Sequence, residues 1–376
     1  MVGDMTLPPL AAIPGDLQSL PDYERRAVDH LPPATWRHIQ GGADAELSLA
    51  ANREQFERLR LIPRQLADMR GASTGLELFG LHHAAPILLA PLAYHRLAHP
   101  QGELATISAA TALDTTMVVS TLSSIPLEDV AEAARAAATE LGRPSPPPLW
   151  FQLYFQPDRD FTAELVRRAE GAGYQALVVT VDASAKRSGF ALPPGVEAAN
   201  LAGMPRLTQE ASIAGGQILF GTPLLETAPN WESIAWLRAH TRLPLVVKGL
   251  LAPQDARLAR DHGADAIIVS NHGGRVLDGL AAPLDMLPAM VEAAGGLPVL
   301  MDSGVRRGTD ILKALALGAR AVLVGRPQLH ALAVAGVPGV AHMLHLLRAE
   351  LELAMAQTGC PSLSAIGPEL VMRPPR

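Results

Sequence analysis

The chain has 376 residues, 48% of them apolar but only 4% aromatic and 18% charged, so its interior must be built from Ala, Val, Leu and Gly. With 31 basic residues against 37 acidic ones, the formal charge is −6 and no basic block stands out, which argues against nucleic acid as a partner. A single cysteine excludes an intrachain disulfide, and the lack of a long uncharged apolar run or a basic-then-apolar start predicts no membrane span, no secretory leader and a cytoplasmic location.

Taken in chain order, residues 1–80 read as an N-terminal helical extension, with helices through Asp22 to Leu31 and Ala34 to Gln40. From residue 81 the pattern changes. Apolar runs too short for helices recur at Pro86–Ala90, Met117–Ser120, Leu149–Tyr154, Ala176–Val181, Leu243–Lys248, Ala264–Ser270, Pro298–Asp302 and Ala319–Val324. Strands buried on both faces have this composition. Amphipathic helical stretches separate them, at Gln101–Leu113, Pro126–Glu140, Asp160–Gly171, Asn230–His240, Pro253–His262, Pro288–Ala294 and Thr309–Leu317. Eight strands alternating with helices over about 250 residues predict an α/β fold, a (β/α)8 TIM barrel over 81–376. A doubly wound sheet fits less well, because Pro91-Leu92-Ala93-Tyr94 after the first strand is no glycine fingerprint. The stretch 184–229 after strand four is rich in Gly, Pro and Ala, and its place at the C-terminal end of a barrel strand marks it as an active-site lid. The 32 glycines and 32 prolines are otherwise scattered as turn punctuation, and Pro144–Pro148 reads as a stiff connector.

Polar residues interrupt the apolar strands at their ends, where barrels keep their chemistry. Strand six runs into Ser270-Asn271-His272-Gly273-Gly274-Arg275. His272 is a candidate general base, and Arg275 can grip a carboxylate through two parallel hydrogen bonds. Lys248 ends strand five, suited to a Schiff base or to stabilising negative charge on a cofactor. Asp182 ends strand four and can orient His272. After strands seven and eight, Asp302-Ser303-Gly304-Val305-Arg306 and Gly325-Arg326 form two glycine-arginine loops, a phosphate cradle by position. Cys360 has no base beside it, and His82 with His83 lacks ligand spacing, so no metal site is expected.

These segments, together with the stretches Val246 to Ala256, Trp150 to Asp160 and Pro86 to Glu103, resemble the FMN-dependent 2-hydroxy-acid oxidases and dehydrogenases, the group of glycolate oxidase, lactate oxidase, mandelate dehydrogenase and hydroxymandelate oxidase. The resemblance runs from about Asp22 to Leu363. It implies FMN as cofactor and oxidation of a small L-2-hydroxy acid to the 2-oxo acid. By position it implies His272 as base with Asp182 as partner, Arg275 and Tyr154 as substrate contacts, and Lys248 beside the flavin. Pro91, Leu92 and Ala93 would pass under the flavin ring, while Ser120, Gln152, Thr180 and Ser270 would meet its polar edge. Asp302, Gly304, Arg306, Gly325 and Arg326 would hold the ribityl phosphate.

Three positions depart from the family pattern. His38 stands where many members have a carboxylate-binding tyrosine, and Leu122 where glycolate oxidases have tryptophan. The stretch after Asp182 is shortened, leaving Arg187 to substitute for a second substrate arginine. Leu122 and Tyr94 suggest an apolar pocket wall. With neither a haem extension nor a membrane segment, oxygen is the expected acceptor, giving peroxide. The rivals are a dehydrogenase using a quinone or a protein acceptor, an isomerase-type flavin barrel, and a flavin-binding barrel without turnover. The resemblance also implies a homotetramer or homo-octamer.

Overall fold

Eight strands, every residue of which but one is buried, close into a parallel barrel in the computed structural model, which describes residues 6–183, 189–204 and 219–373. They are β1 (Ile87–Leu89), β2 (Met117–Ser120), β3 (Leu149–Leu153), β4 (Ala176–Thr180), β5 (Leu245–Leu250), β6 (Ala266–Val269), β7 (Val299–Met301) and β8 (Ala321–Val324). Each pairs with its sequence neighbours, and β8 returns to β1 through Leu323 opposite Leu88. The expected (β/α)8 architecture is therefore the observed one.

Side chains alternate along these strands, because successive residues face opposite sides. Leu88, Val118, Trp150, Val178, Val246, Ile268, Leu300 and Leu323 fill the interior, whereas Ile87, Val119, Phe151, Val179 and Val247 join the larger core under the helices. The interior is thus a packed layer without a pore. Its N-terminal end is closed by a hairpin, Leu76–Leu78 paired with Leu81–His83, whose Leu76 and Leu78 pack in the same cluster and whose Phe79 lies 5.6 Å from the Trp150 ring. This hairpin crosses residue 80 and was not expected from the sequence.

The outer helices are α1 (Leu20–His30), α2 (Pro33–Gln40), α3 (Leu47–Arg58), α4 (Glu103–Ala112), α5 (Leu127–Glu140), α6 (Arg159–Ala172), α7 (Trp231–His240), α8 (Pro253–Asp261), α9 (Pro283–Ala294), α10 (Gly308–Ala316) and α11 (Arg326–Gln357). Proline opens α2, α8 and α9; its fixed φ suits the first turn, where an N–H would lack a partner anyway. Neither α3 nor α11 was expected, and α9 begins five residues before the expected start at Pro288. By length and composition α11 could cross a membrane. Non-helical backbone at Ala335 and Gly336 divides it, however, and its apolar face is buried against α1, α4 and α10. Within 184–229, the described residues include a turn of 3-10 helix at Ala199–Leu201 and a short helix at Pro223–Glu226.

Candidate active site

The same alternation that packs the barrel interior places the polar residues. Moving two positions past the inward Val118, Trp150, Val178, Val246, Ile268 and Leu300 reaches Ser120, Gln152, Thr180, Lys248, Ser270 and Asp302, all buried. One more step along β3, β4 and β6 reaches Tyr154, Asp182 and His272. Together they form a polar layer at the C-terminal end of the barrel, beneath a cavity of about 420 Å³. His38, Pro91, Leu92, Ala93, Ser120, Leu122, Tyr154, Lys248, His272 and Arg275 line it, together with Asp302, Gly304, Arg306, Gly325 and Arg326.

His272 and Asp182, 90 residues apart, meet through Nδ1 and Oδ1 at 2.8 Å. Burial works to raise the Asp182 carboxyl, but the charges of His272 and Lys248 and the His272 hydrogen bond outweigh it and hold the group below its usual 3.8. An ionised Asp182 accepts, so Nδ1 carries the proton and Nε2 is the basic nitrogen. His272 has a positive φ of 57°, and its N–H donates to Ser270 Oγ at 3.0 Å. Burial raises the Tyr154 phenol, helped by the Asp182 charge, so it stays protonated and able to donate.

Lys248 Nζ donates to Ser270 Oγ at 2.9 Å and pairs with Asp302 Oδ2 at 3.0 Å. Burial opposes its charge, yet Asp302 and Asp182 outweigh that and hold the ammonium above its usual 10.5. The sign follows from linkage. Lys248 stabilises the fold below pH 10.5 and loses this contribution only as pH rises through its raised value, while Asp182 contributes above pH 3.8 and fades as pH falls through its lowered one. Both contributions are complete near neutrality. Lys248→Met leaves Asp302 buried without its cation, and is expected to cost about 3–5 kcal/mol in the denaturant unfolding of the flavin-free protein. Adding Asp302→Asn should recover part of that loss.

Arg275 and Arg326 converge on the end of α2, whose last carbonyls lack helical partners. Arg275 donates from Nη1 to Ile39 and Gly41 (3.0 and 2.8 Å) and from Nη2 to His38 (2.7 Å). Arg326 donates to Ile39, Gly41 and Gly273 at 3.0, 2.9 and 3.0 Å. The N-terminal extension is thereby seated on the site. Burial, with the charges of Arg275 and Arg306, pushes Arg326 down to about 9, still cationic near neutrality. Arg306 Nε is 3.1 Å from Glu24 Oε2 on α1.

Do these residues fit FMN? At the β7 and β8 end the buried Arg306 and the half-buried Arg326 come together, and of the two only Arg306 pairs with a carboxylate among the described residues, Glu24, which leaves a demand for an anion such as a phosphate there. Gly304, at φ 87°, is required by packing, because the Asn52 carbonyl of α3 crosses it so closely that a Cβ would collide. Gln152 Nε2 and Thr180 Oγ1 are buried without a protein partner, and such atoms cost about 1–3 kcal/mol each unless satisfied. A flat polar ring edge would satisfy them. Ser120 Oγ, by contrast, donates to Gln152 Oε1 at 3.0 Å. The fit is good at both ends.

Not every expected contact lines the cavity. Gln152, Thr180 and Ser270 are in the layer beneath it, where Ser270 Oγ accepts from both Lys248 and His272. Ser270 thus supports two site residues. Arg187 lies outside the described residues. His38 lines the cavity with its ring stacked on Phe190, centroids 4.2 Å apart. Two further residues had escaped sequence reasoning. Ser303 Oγ accepts from the Gly273 N–H at 3.0 Å and donates to Asp302 Oδ1 at 2.8 Å, joining the two loops. Gly249, at φ 108°, lies where β5 shifts register, and a Cβ there would be 2.6 Å from Asp182 Cγ. A glycine inside an apolar strand is the available signal for such a bulge.

The sequence profile of the FMN-dependent dehydrogenases matches residues 27–373. L-lactate oxidase of Alicycliphilus denitrificans is 47% identical, with 95% of this chain and 97% of the relative covered. For 4-hydroxymandelate oxidase of Amycolatopsis orientalis the figures are 46%, 92% and 96%. The crystal structure of mandelate oxidase with (S)-2-phenylpropionate superposes with a TM-score of 0.82 at 43% identity, covering 94% of this chain and 98% of that one. With the barrel, the His–Asp pair and the anion-demanding loops in place, the chain belongs to the FMN-dependent dehydrogenase family.

Proposed function

We propose that the protein oxidises an L-2-hydroxy acid to the 2-oxo acid with oxygen as acceptor, releasing hydrogen peroxide. The observation that carries this reading is that His272, bonded to Asp182 behind it, lines the same cavity as Arg275 and Tyr154. FMN, when bound, would supply the acceptor for the α-hydrogen together with its bonding electron pair, with oxygen as the final acceptor giving hydrogen peroxide. Arg275 and Tyr154 bind the substrate carboxylate and hydroxyl. His272 Nε2 takes the hydroxyl proton, and the Asp182 carboxylate stabilises the imidazolium that results. Lys248 supplies a fixed positive charge at the cavity wall that would stabilise negative charge on the bound cofactor. Relatives named as oxidases support oxygen as the acceptor.

The test is anaerobic addition of L-lactate, glycolate and L-mandelate to the purified flavoprotein. Bleaching of the visible flavin bands by at least one, with stoichiometric peroxide on admitting air, is expected. Bleaching without peroxide would replace oxygen by a quinone or protein acceptor, and no bleaching across a wide 2-hydroxy-acid panel would overturn the substrate class. Leu122 and Tyr94 set the room for the substrate side chain. Accordingly, Leu122→Trp should lower kcat/KM for mandelate by roughly tenfold or more while leaving glycolate within about threefold, measured by peroxide release.

A further inference from the structure

Asn200 lies in the segment between β4 and α7, outside the cavity lining, yet it is completely buried. Its side chain is fully committed. Oδ1 accepts from the Leu127 N–H at 2.8 Å, one of the unpartnered donors at the start of α5. Nδ2 donates to the carbonyls of Ser120 and Thr121 at 3.2 and 3.4 Å. The backbone is tied as well. Arg168 Nη1 donates to the Asn200 carbonyl at 3.0 Å while Glu128 grips the same guanidinium at 2.7 and 3.0 Å. Next to it, the Ala199 N–H donates to the Ser123 carbonyl at 2.9 Å.

All these partners except Arg168 belong to residues 120–128, the loop from β2 into α5. That loop carries Ser120 and Leu122 into the cavity wall, and Leu122 in turn accepts from the Tyr94 N–H at 3.1 Å. At the other end of the same segment, Phe190 stacks on His38 at the cavity edge. One amide therefore connects residues 189–204, which reach His38 through Phe190, with the loop that forms the cavity wall.

We infer that Asn200 is a positioning residue for substrate: by holding the β2 loop and the segment after β4 in register, it sets the wall against which the substrate side chain packs. This rests on the 2-hydroxy-acid reading of the cavity. Only an amide fits the position. Asn200→Asp keeps the acceptor for Leu127 but turns a second carboxylate oxygen toward the Ser120 and Thr121 carbonyls, and Asn200→Ala removes both links.

The experiment compares both variants with the wild type as FMN-loaded protein, measuring FMN content, thermal midpoint, and kcat and KM with the best-bleaching substrate. Expected are wild-type FMN content, kcat within threefold and KM raised at least tenfold. Arg168→Gln, which removes the bond to the Asn200 carbonyl together with the Glu128 ion pair but leaves the Asn200 amide in place, should raise KM about threefold and keeps the test available should Asn200→Ala fail to fold. A lowered thermal midpoint with unchanged KM would mean a purely structural role and overturn the inference, as would a loss confined to kcat or to FMN. The affinity for phenylglyoxylate, read from its perturbation of the flavin spectrum, tests the wall without turnover and should weaken at least tenfold in Asn200→Asp. If the wild type is bleached but both KM and this affinity are unchanged, the positioning role alone falls. If no 2-hydroxy acid bleaches the wild type, the functional reading falls, and an unchanged phenylglyoxylate affinity would take the positioning role with it.

Discussion

His272→Ala is expected to leave the purified protein yellow and to slow anaerobic flavin reduction by about 10²–10⁴-fold. The two halves of this outcome have separate causes. Flavin retention is expected to depend on the arginine-glycine loops after β7 and β8 and on the buried Gln152 and Thr180, none of which bonds the imidazole. Reduction depends on a base with its lone pair on Nε2, and the 2.8 Å contact with an ionised Asp182 sets that tautomer. Asp182→Asn should therefore also slow reduction while preserving the colour, because an amide can turn its nitrogen toward Nδ1 and select the wrong tautomer. Stopped-flow absorbance of the flavin band measures both. Reduction by His272→Ala at the wild-type rate would remove His272 from the base role.

Arg275→Met should lower kcat/KM for 2-hydroxy acids by roughly 30- to 5,000-fold, the equivalent of about 2–5 kcal/mol for removing one partner of a buried charge-assisted pair. Arg275→Lys should recover little of this, because a single ammonium cannot reproduce the planar fork. The structure adds a complication that can be tested. Arg275 also bonds the carbonyls of His38, Ile39 and Gly41, so its loss could act by unseating α2. Arg326 holds Ile39 and Gly41 independently, and so the extension should remain docked. A substrate analogue with the carboxylate replaced by an uncharged amide separates the two effects. Its turnover should fall less than tenfold in Arg275→Met; an equal loss for acid and amide would assign the arginine to holding α2.

Much of this site was legible before any coordinates because barrel strands obey a strict alternation. Once Val246 and Ile268 are inward, Lys248 and Ser270 must be inward too, at the end where chemistry collects. The His–Gly–Gly–Arg cluster and the paired glycine-arginine loops stood out for the same reason, as polar breaks in strands that were otherwise apolar. Legibility failed where the relevant partner is remote and the local pattern ordinary. Helix α3 carries Ser48 and Asn52 as buried residues, so its inner face does not read as apolar. The hairpin at Leu76–His83 is too short for a period to show. Helix α11 is broken by Ala335 and Gly336 and buried over much of its surface, which blurs the amphipathic signal.

The sequence by itself determined the class of fold, the barrel's polar end and the chemistry available there, since those follow from local periodicity and from which residue types interrupt it. Tertiary structure alone decided what each polar group is bonded to. Ser270 supports Lys248 and His272, Asp302 neutralises Lys248, and both arginines hold the end of α2. Asn200 and Gly249 matter only because other segments come to lie against them. The physical reason is that alternation is fixed by the backbone of one strand, whereas hydrogen-bond partners and close approaches are fixed by how distant segments pack.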